Sequence, residues 1–205
     1  MIVAKSYGIS LLGLAGTPIE IEAEISSNLP NFVLVGLPDA SLTEAKDRVR
    51  SATNNSGFTL PGRRITVNLS PASVPKHGSG FDLAIAVAVL TASGELNPRS
   101  VAEAVHLGEL GLDGSLRPIA GVLPSLLAAK RAGFSRAIVP NQNLTEALLV
   151  NDMQIIGASN LGEVANLHGA TVSVRTPPNK ELTKVEAVAE DASQKVDISD
   201  VVGQD

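Results

Sequence analysis

This sequence predicts a mixed α/β fold of the α+β kind, and three observations carry that reading. Residues 1–36 read as strands, an almost wholly apolar helix-length run follows at 82–93, and short strand and helix patterns alternate from there to about residue 170. The chain has 205 residues, enough for one good-sized domain with a tail, or for two small domains.

The elements follow in order. Ile19, Ile21, Ala23 and Ile25 alternate with Glu20, Glu22 and Glu24, a period of two with one wet face. Phe32–Val35 is a short apolar strand between Pro30-Asn31 and Gly36. A helix starts near Asp39 or Ser41, where Ser41 and Glu44 have capping-box spacing. Leu42, Ala45, Val49 and Ala52 form its apolar face, and Gly57 and Pro61 end it. Arg64–Leu69 alternates again, with Ile65, Val67 and Leu69 on one side. Asp82–Ser93 is a helix buried nearly all round, ended by Gly94. Val105–Leu112, Asp113-Gly114 and Ser115–Ile119 read as a hairpin on a type I′ turn. Beyond it lie a helix at Val122–Ala132 stopped by Gly133, a strand at Ala137–Val139, a helix at Leu144–Val150, a strand at Gln154–Ile156 and a helix at Leu161–Leu167.

Composition excludes several functions. Hydrophobic residues make up 44% of the chain but aromatics only 2%, with no Trp and Tyr7 as the one tyrosine. A base-stacking platform or an aromatic sugar cleft needs more rings than that. Cysteine is absent, so there is no disulfide, Cys-ligated zinc or thiol nucleophile. His77, His106 and His168 lack metal-ligand spacing. The N-terminus lacks the shape of a signal peptide, and the longest apolar run, Phe81–Ala92, falls short of the roughly 20 residues that cross a bilayer. A cytoplasmic protein is expected. Net charge is −5; residues 175–205 hold 4 Lys/Arg against 7 Asp/Glu, while residues 1–174 hold 12 against 14. The stretch from Pro177 onward, rich in Glu, Lys, Ala and Asp, reads as a flexible linker.

Few residues invite chemistry. Gly78-Ser79-Gly80 before a helix could cradle an anion, but reads better as a tight turn. Asp82 sits where a helix cap is expected. Arg48, Arg50, Arg63, Arg64 and Lys76 form the densest basic set. They are candidate nucleic-acid phosphate contacts, set against an ion-paired surface with Asp39, Glu44 and Asp47 as partners. Glu20, Glu22 and Glu24 could hold Mg²⁺ but read as a charged edge against strand-on-strand association. His106, in a predicted strand, reads as structural.

Several segments in their order and spacing resemble one family. They are Val-Gly-Leu-Pro-Asp at 35–39, Glu44, Arg-Val-Arg-Ser-Ala at 48–52, Asn-Ser-Gly-Phe at 55–58, Pro61, Arg64–Leu69, Pro71-Ala72, Lys76, Gly78-Ser79, Phe81-Asp82-Leu83 and Gly108–Gly114. Together they resemble the YifB/ComM magnesium-chelatase-like AAA+ ATPases over roughly residues 1–170. Asp200-Val-Val-Gly-Gln204 resembles the opening of the AAA+ module in that family, although no G-x-x-x-x-G-K-[ST] phosphate loop is present.

The resemblance implies an N-terminal domain (1–172) similar to the Lon protease C-terminal domain and to ribosomal protein S5 domain 2, a flexible linker (173–195) and the start of a truncated AAA+ module (196–205). Lys76–Phe81 resembles the Lon segment carrying the nucleophilic serine, and Gly108–Gly121 the segment leading to the catalytic lysine. On that match the two working positions fall on Gly80 and Leu123, which supply neither hydroxyl nor amine. The implied role is a non-catalytic accessory domain that assists ring assembly and DNA handling of the competence and branch-migration type. A Ser-Lys peptidase and a magnesium-chelatase-subunit-like chaperone are the alternatives. No catalytic residue, cofactor or metal is assigned to these residues; ATP and Mg²⁺ are expected in the missing module. The expected partners are the AAA+ module, further copies in a homo-oligomeric ring, a hexamer, and DNA, with no membrane.

Overall fold

The computed structural model describes residues 3–36 and 39–173. The expected linker and the start of an ATPase module, like Leu37 and Pro38 of the 35–39 motif, lie outside the described residues. Among the described residues no helix is long and apolar enough to cross a membrane.

A seven-stranded sheet organises the chain. β1 (Val3–Leu12) and β2 (Ala15–Ser26) form a long antiparallel hairpin, closed by the two-residue loop Gly13-Leu14. β3 (Asn31–Val35) and β4 (Arg64–Ser70) complete one half; β5 (Ala104–His106), β8 (Arg136–Pro140) and β9 (Gln154–Ala158) form the other. The order is β3-β4-β2-β1-β5-β8-β9. From the pairings, only β2 runs against the rest, so the sheet is mostly parallel. A separate two-stranded ribbon joins β6 (Glu109–Leu110) to β7 (Leu116–Arg117).

The halves meet at one rung, Tyr7 opposite Val105. Beyond it the chain after β5 is drawn away. Gly108 donates its N–H to the Gly80 carbonyl at 3.2 Å and accepts from Leu83 N at 3.1 Å. β1 therefore continues past Tyr7 with no strand on that side among the described residues.

Pleating sorts β1 between two cores. Ala4, Ser6 and Gly8 face α3 (Asp82–Ala92): the Ser6 hydroxyl donates to the Ala84 carbonyl at 2.6 Å, and Phe81 crowds Gly8. Residues 82–91 of α3 are all buried, as its apolar run requires. Tyr7, Ile9 and Leu11 face the second core, under α5 (Val122–Arg131). α2 (Ala45–Asn55) closes the first core with Ala45, Val49 and Ala52, all fully buried. The remaining helices are α1 (Ala40–Thr43), α4 (Pro98–Ala102), α6 (Leu144–Ala147) and α7 (Leu161–Leu167).

Four expectations need correction. The helix near residue 40 is two pieces. Asp39 caps the single turn α1 by accepting from Leu42 N at 2.7 Å, and α2 restarts at Ala45. Asp82 does not cap α3, because Phe81 holds the cap position and the Asp82 carboxylate is turned inward to Arg48. The Asp113-Gly114 turn is a three-residue loop, Leu112–Gly114, closed by Gly111 N to Ser115 O at 2.9 Å, with Gly114 left-handed. The helix expected over 144–150 is the single turn α6.

Candidate functional site

Where β1 and β5 part, a cleft of about 340 Å³ opens. β1 supplies Ile9–Leu11 to one wall, the loop 77–81 forms the floor, and Pro118–Ala120 face it with Leu107, Glu109 and Ser125. Each wall is fixed from behind. The Ser10 hydroxyl donates to the Pro75 carbonyl at 2.6 Å, tying β1 to the floor loop. The buried Asn143 amide bonds both backbone groups of Ile119, accepting from its N–H at 2.9 Å and donating to its carbonyl at 3.0 Å. Asn143 thus does for the opposite wall what a neighbouring strand would do.

The floor loop is clamped to the segment before α1. Lys76 is fully buried and donates its ammonium to the Gly36 carbonyl at 2.9 Å and the Pro71 carbonyl at 2.5 Å. Burial pushes its pKa down. Two residues on, Gly78 donates its N–H to Asp39 Oδ2 at 3.2 Å, and His77 Nδ1 lies 3.3 Å from the same oxygen. Burial would raise the Asp39 carboxyl, but the Leu42 and Gly78 N–H groups and His77 outweigh it and hold the carboxyl below its ordinary value.

The chemical groups in the cleft are mostly engaged. Ser79 donates its hydroxyl to Glu109 Oε2, and Arg117 Nη1 stands 3.7 Å from the other Glu109 oxygen. Gly80 lines the cleft, and a Cβ added there would touch only Ile119 Cδ1, at 3.6 Å. A side chain would fit at position 80, yet none is present. Leu123 does not line this cleft; it packs, half-buried, in the core beneath α5, with its N–H on Glu146 Oε1 at 3.0 Å.

The structure separates the five basic candidates. Arg48 pairs with the fully buried Asp82 through Nε to Oδ2 at 2.7 Å and Nη2 to Oδ1 at 3.0 Å, and it reaches Glu44 at 3.6 Å. Burial raises the Asp82 carboxyl, with Arg48 opposing, and the Asp82 hydrogen bonds raise Arg48 in turn. Lys76 is interior, so its expected place in a surface patch is corrected. Arg50 on α2, Arg63 just before β4 and Arg64 at its start remain exposed. Arg64 stands opposite Ser26 and Thr66 opposite Glu24, which puts the β2 carboxylates on the same sheet face as Arg64. Among the described residues, no group of three or more acidic or histidine side chains could hold a metal ion.

Sequence reasoning missed one polar pair. His106 on β5 and His168 after α7 meet Nε2 to Nε2 at 2.9 Å, deep inside, and His168 Nδ1 meets the Ser100 hydroxyl at 2.9 Å. They lie 62 residues apart, and no spacing rule joins them.

Comparison with known proteins agrees with this architecture. A family described as subunit ChlI of Mg-chelatase matches residues 21–143. Competence protein ComM of Haemophilus influenzae is 38% identical over 205 residues, covering 100% of this chain and 40% of that protein. YifB of Escherichia coli is 38% identical over 195 residues, covering 95% of this chain and 37% of its own. The chain thus spans about two-fifths of the length of these relatives. A Lon protease of Salinispora arenicola is 30% identical over 145 residues, 66% of this chain and 18% of the protease. On the family match and these identities, the chain belongs to the ChlI magnesium-chelatase-subunit family, among its YifB/ComM-type members.

Proposed function

We propose that this domain is a non-catalytic accessory part of a magnesium-chelatase-like AAA+ ATPase, assisting ring assembly and DNA handling. The observation that carries the reading is the cleft itself. Its walls are built as for a substrate, but Gly80 stands bare where a hydroxyl would fit, and Leu123 lies outside it in the core. A Ser-Lys dyad needs a hydroxyl and an amine in hydrogen-bond reach, and the nearest hydroxyl, Ser79, is given over to Glu109. The one buried amine near the floor, Lys76, is spent on two carbonyls.

ATP and Mg²⁺ belong, in this reading, to a module outside these residues. The described residues offer no carboxylate cluster that fits Mg²⁺. DNA contact would go through phosphates, from Arg50, Arg63 and Arg64, because aromatic side chains are too few for stacking. Repetition of these cations around a ring would multiply a weak contact.

The test is DNA-dependent ATP hydrolysis by the full-length protein and by the same protein lacking residues 1–170. The expected result is a loss of DNA stimulation or of ring assembly on truncation, with basal hydrolysis retained. Unchanged stimulation and assembly would rule the reading out.

A further inference from the structure

The cleft holds an unmet demand that the reading above leaves unused. In the β1–β2 hairpin the pair closing the two-residue loop, Leu12 opposite Ala15, is hydrogen-bonded, and bonded pairs alternate along an antiparallel ladder. Leu11, opposite Gly16, is then a non-bonded pair. Its N–H and C=O point away from β2, toward the side where β5 stops at the rung between Tyr7 and Val105. The chain that follows β5 is committed elsewhere, since Gly108 bonds Gly80 and Leu83. Leu11 therefore presents a backbone donor and acceptor, without a protein partner among the described residues, to the wall of a 340 Å³ cleft.

Unpaired backbone groups along a strand edge form a template on which another extended chain can pair. The group that matches a strand's donor–acceptor pair is another extended backbone, and the cleft is shaped for one. Ile9, Leu11, Leu107, Pro118 and Ile119 give it apolar walls, and Gly80 removes the side chain that would obstruct the floor. The opposite wall makes no competing demand at Ile119, because Asn143 satisfies both its backbone groups.

We propose that this cleft captures an extended, unfolded polypeptide segment as an added strand on the free edge of β1 at Leu11, and releases it uncut. The inference rests on the non-catalytic reading only for the word uncut. Main-chain hydrogen bonds would supply affinity with little sequence preference, and the apolar walls would favour small aliphatic side chains. Glu109 at the rim, 29% exposed, would favour a basic residue over an acidic one next to the bound strand.

The experiment uses fluorescein-labelled β-casein, an unfolded polypeptide, with the 205-residue chain. Anisotropy reads binding, and a gel reads integrity of the casein after overnight incubation. The expected result is saturable binding, with intact casein and a shift of the Leu11 amide resonance. Gly80→Leu, whose Cβ the structure accommodates, fills the cleft and should weaken binding at least about tenfold; Leu11→Pro, which removes a donor that β2 does not use, should do the same. Circular dichroism separates either effect from misfolding. No saturable binding, or binding that a folded Gly80→Leu protein retains with the Leu11 amide unmoved, overturns the capture proposal and leaves the non-catalytic reading intact. Cleaved casein with binding blocked by Gly80→Leu supports capture and overturns the non-catalytic reading instead.

Discussion

His106 and His168 face each other Nε2 to Nε2 at 2.9 Å, both buried, and the outer nitrogen of His106 has no hydrogen-bond partner among the described residues. One ring must donate the shared proton and the other accept it, so the accepting ring at least is neutral. Burial, and then His168, depress the His106 pKa to about 3, with the Tyr7 backbone opposing. Burial, and then Arg136, depress His168 to about 4; Arg136 is itself 3.7 Å from Glu103.

The pair should make the fold acid-sensitive. Both folded pKa values lie below the ordinary 6.5, so the unfolded chain binds protons first as pH falls. The contribution is complete above pH 6.5 and is lost progressively from there toward pH 4 and then 3, at up to about 1.4 kcal/mol per ring per pH unit. Thermal unfolding followed between pH 7 and 4 should show a steeper decline for the parent than for His168→Gln. Equal slopes would mean that the carboxylates alone set the acid response.

The Arg48–Asp82 pair should be costly to break from one side. Arg48→Ala leaves a carboxylate with no side-chain exposure facing only the Leu110 N–H, 3.2 Å away, and should cost about 3–5 kcal/mol. The double replacement Arg48→Met with Asp82→Leu should cost less than half of that, since neither charge is stranded. Urea unfolding midpoints at constant slope give both numbers; a double replacement as costly as the single one would show that the pair is worth more than its desolvation.

Lys76 should behave as a structural cation. Lys76→Ala strands the Gly36 and Pro71 carbonyls and opens a cavity, a loss of about 2–4 kcal/mol. Among the described lysines it should react slowest with an amine-directed acylating reagent, followed by mass spectrometry. Labelling at the rate of the exposed Lys5 would show that the clamp opens readily.

Charge reversal at Arg50 and Arg64 should weaken DNA binding by the full-length assembly and flatten its salt dependence, by about 0.9 in logarithmic slope for each phosphate no longer neutralised. The effect of Arg64 should be the smaller, because Glu20, Glu22 and Glu24 share its sheet face. Identical affinity and slope after both reversals would place any DNA-binding surface elsewhere in the protein.

Much of the fold was legible because periodicity reports burial. Ile19, Ile21 and Ala23 are fully buried where alternation put them, and α3 is buried all round as its apolar run demands. α7 spans Leu161–Leu167 as its periodicity predicts. α4 carries its signal in Asn97 and Pro98, a cap and a first-turn proline, but five residues are too few for a period to show. The cleft was legible only as far as Gly80 and its neighbours in sequence. Leu11 and Glu109 reach it through the parting of β1 and β5, which depends on pairings nearly a hundred residues apart in the chain. Lys76 looked like surface charge because residue type reports preference, whereas its burial depends on two carbonyls delivered by other loops.

The single rung between Tyr7 and Val105 has a mechanical consequence. Each half of the sheet is assembled from one unbroken stretch of chain, residues 3–70 on one side and 104–158 on the other. Between them, backbone bonding is nearly absent, and cohesion falls to side chains: α5 of the second stretch packs on β1 and β2, and α3 lies against the same two strands while its N-terminal turn donates to the Gly108 carbonyl. A chain cut between Gly94 and Asn97 would leave two pieces whose ladders are each internally whole. Slow opening should run along that line like a clasp, with amides on β4 and β8 exchanging independently of one another and α3 and α5 acting as the pins that both sides share.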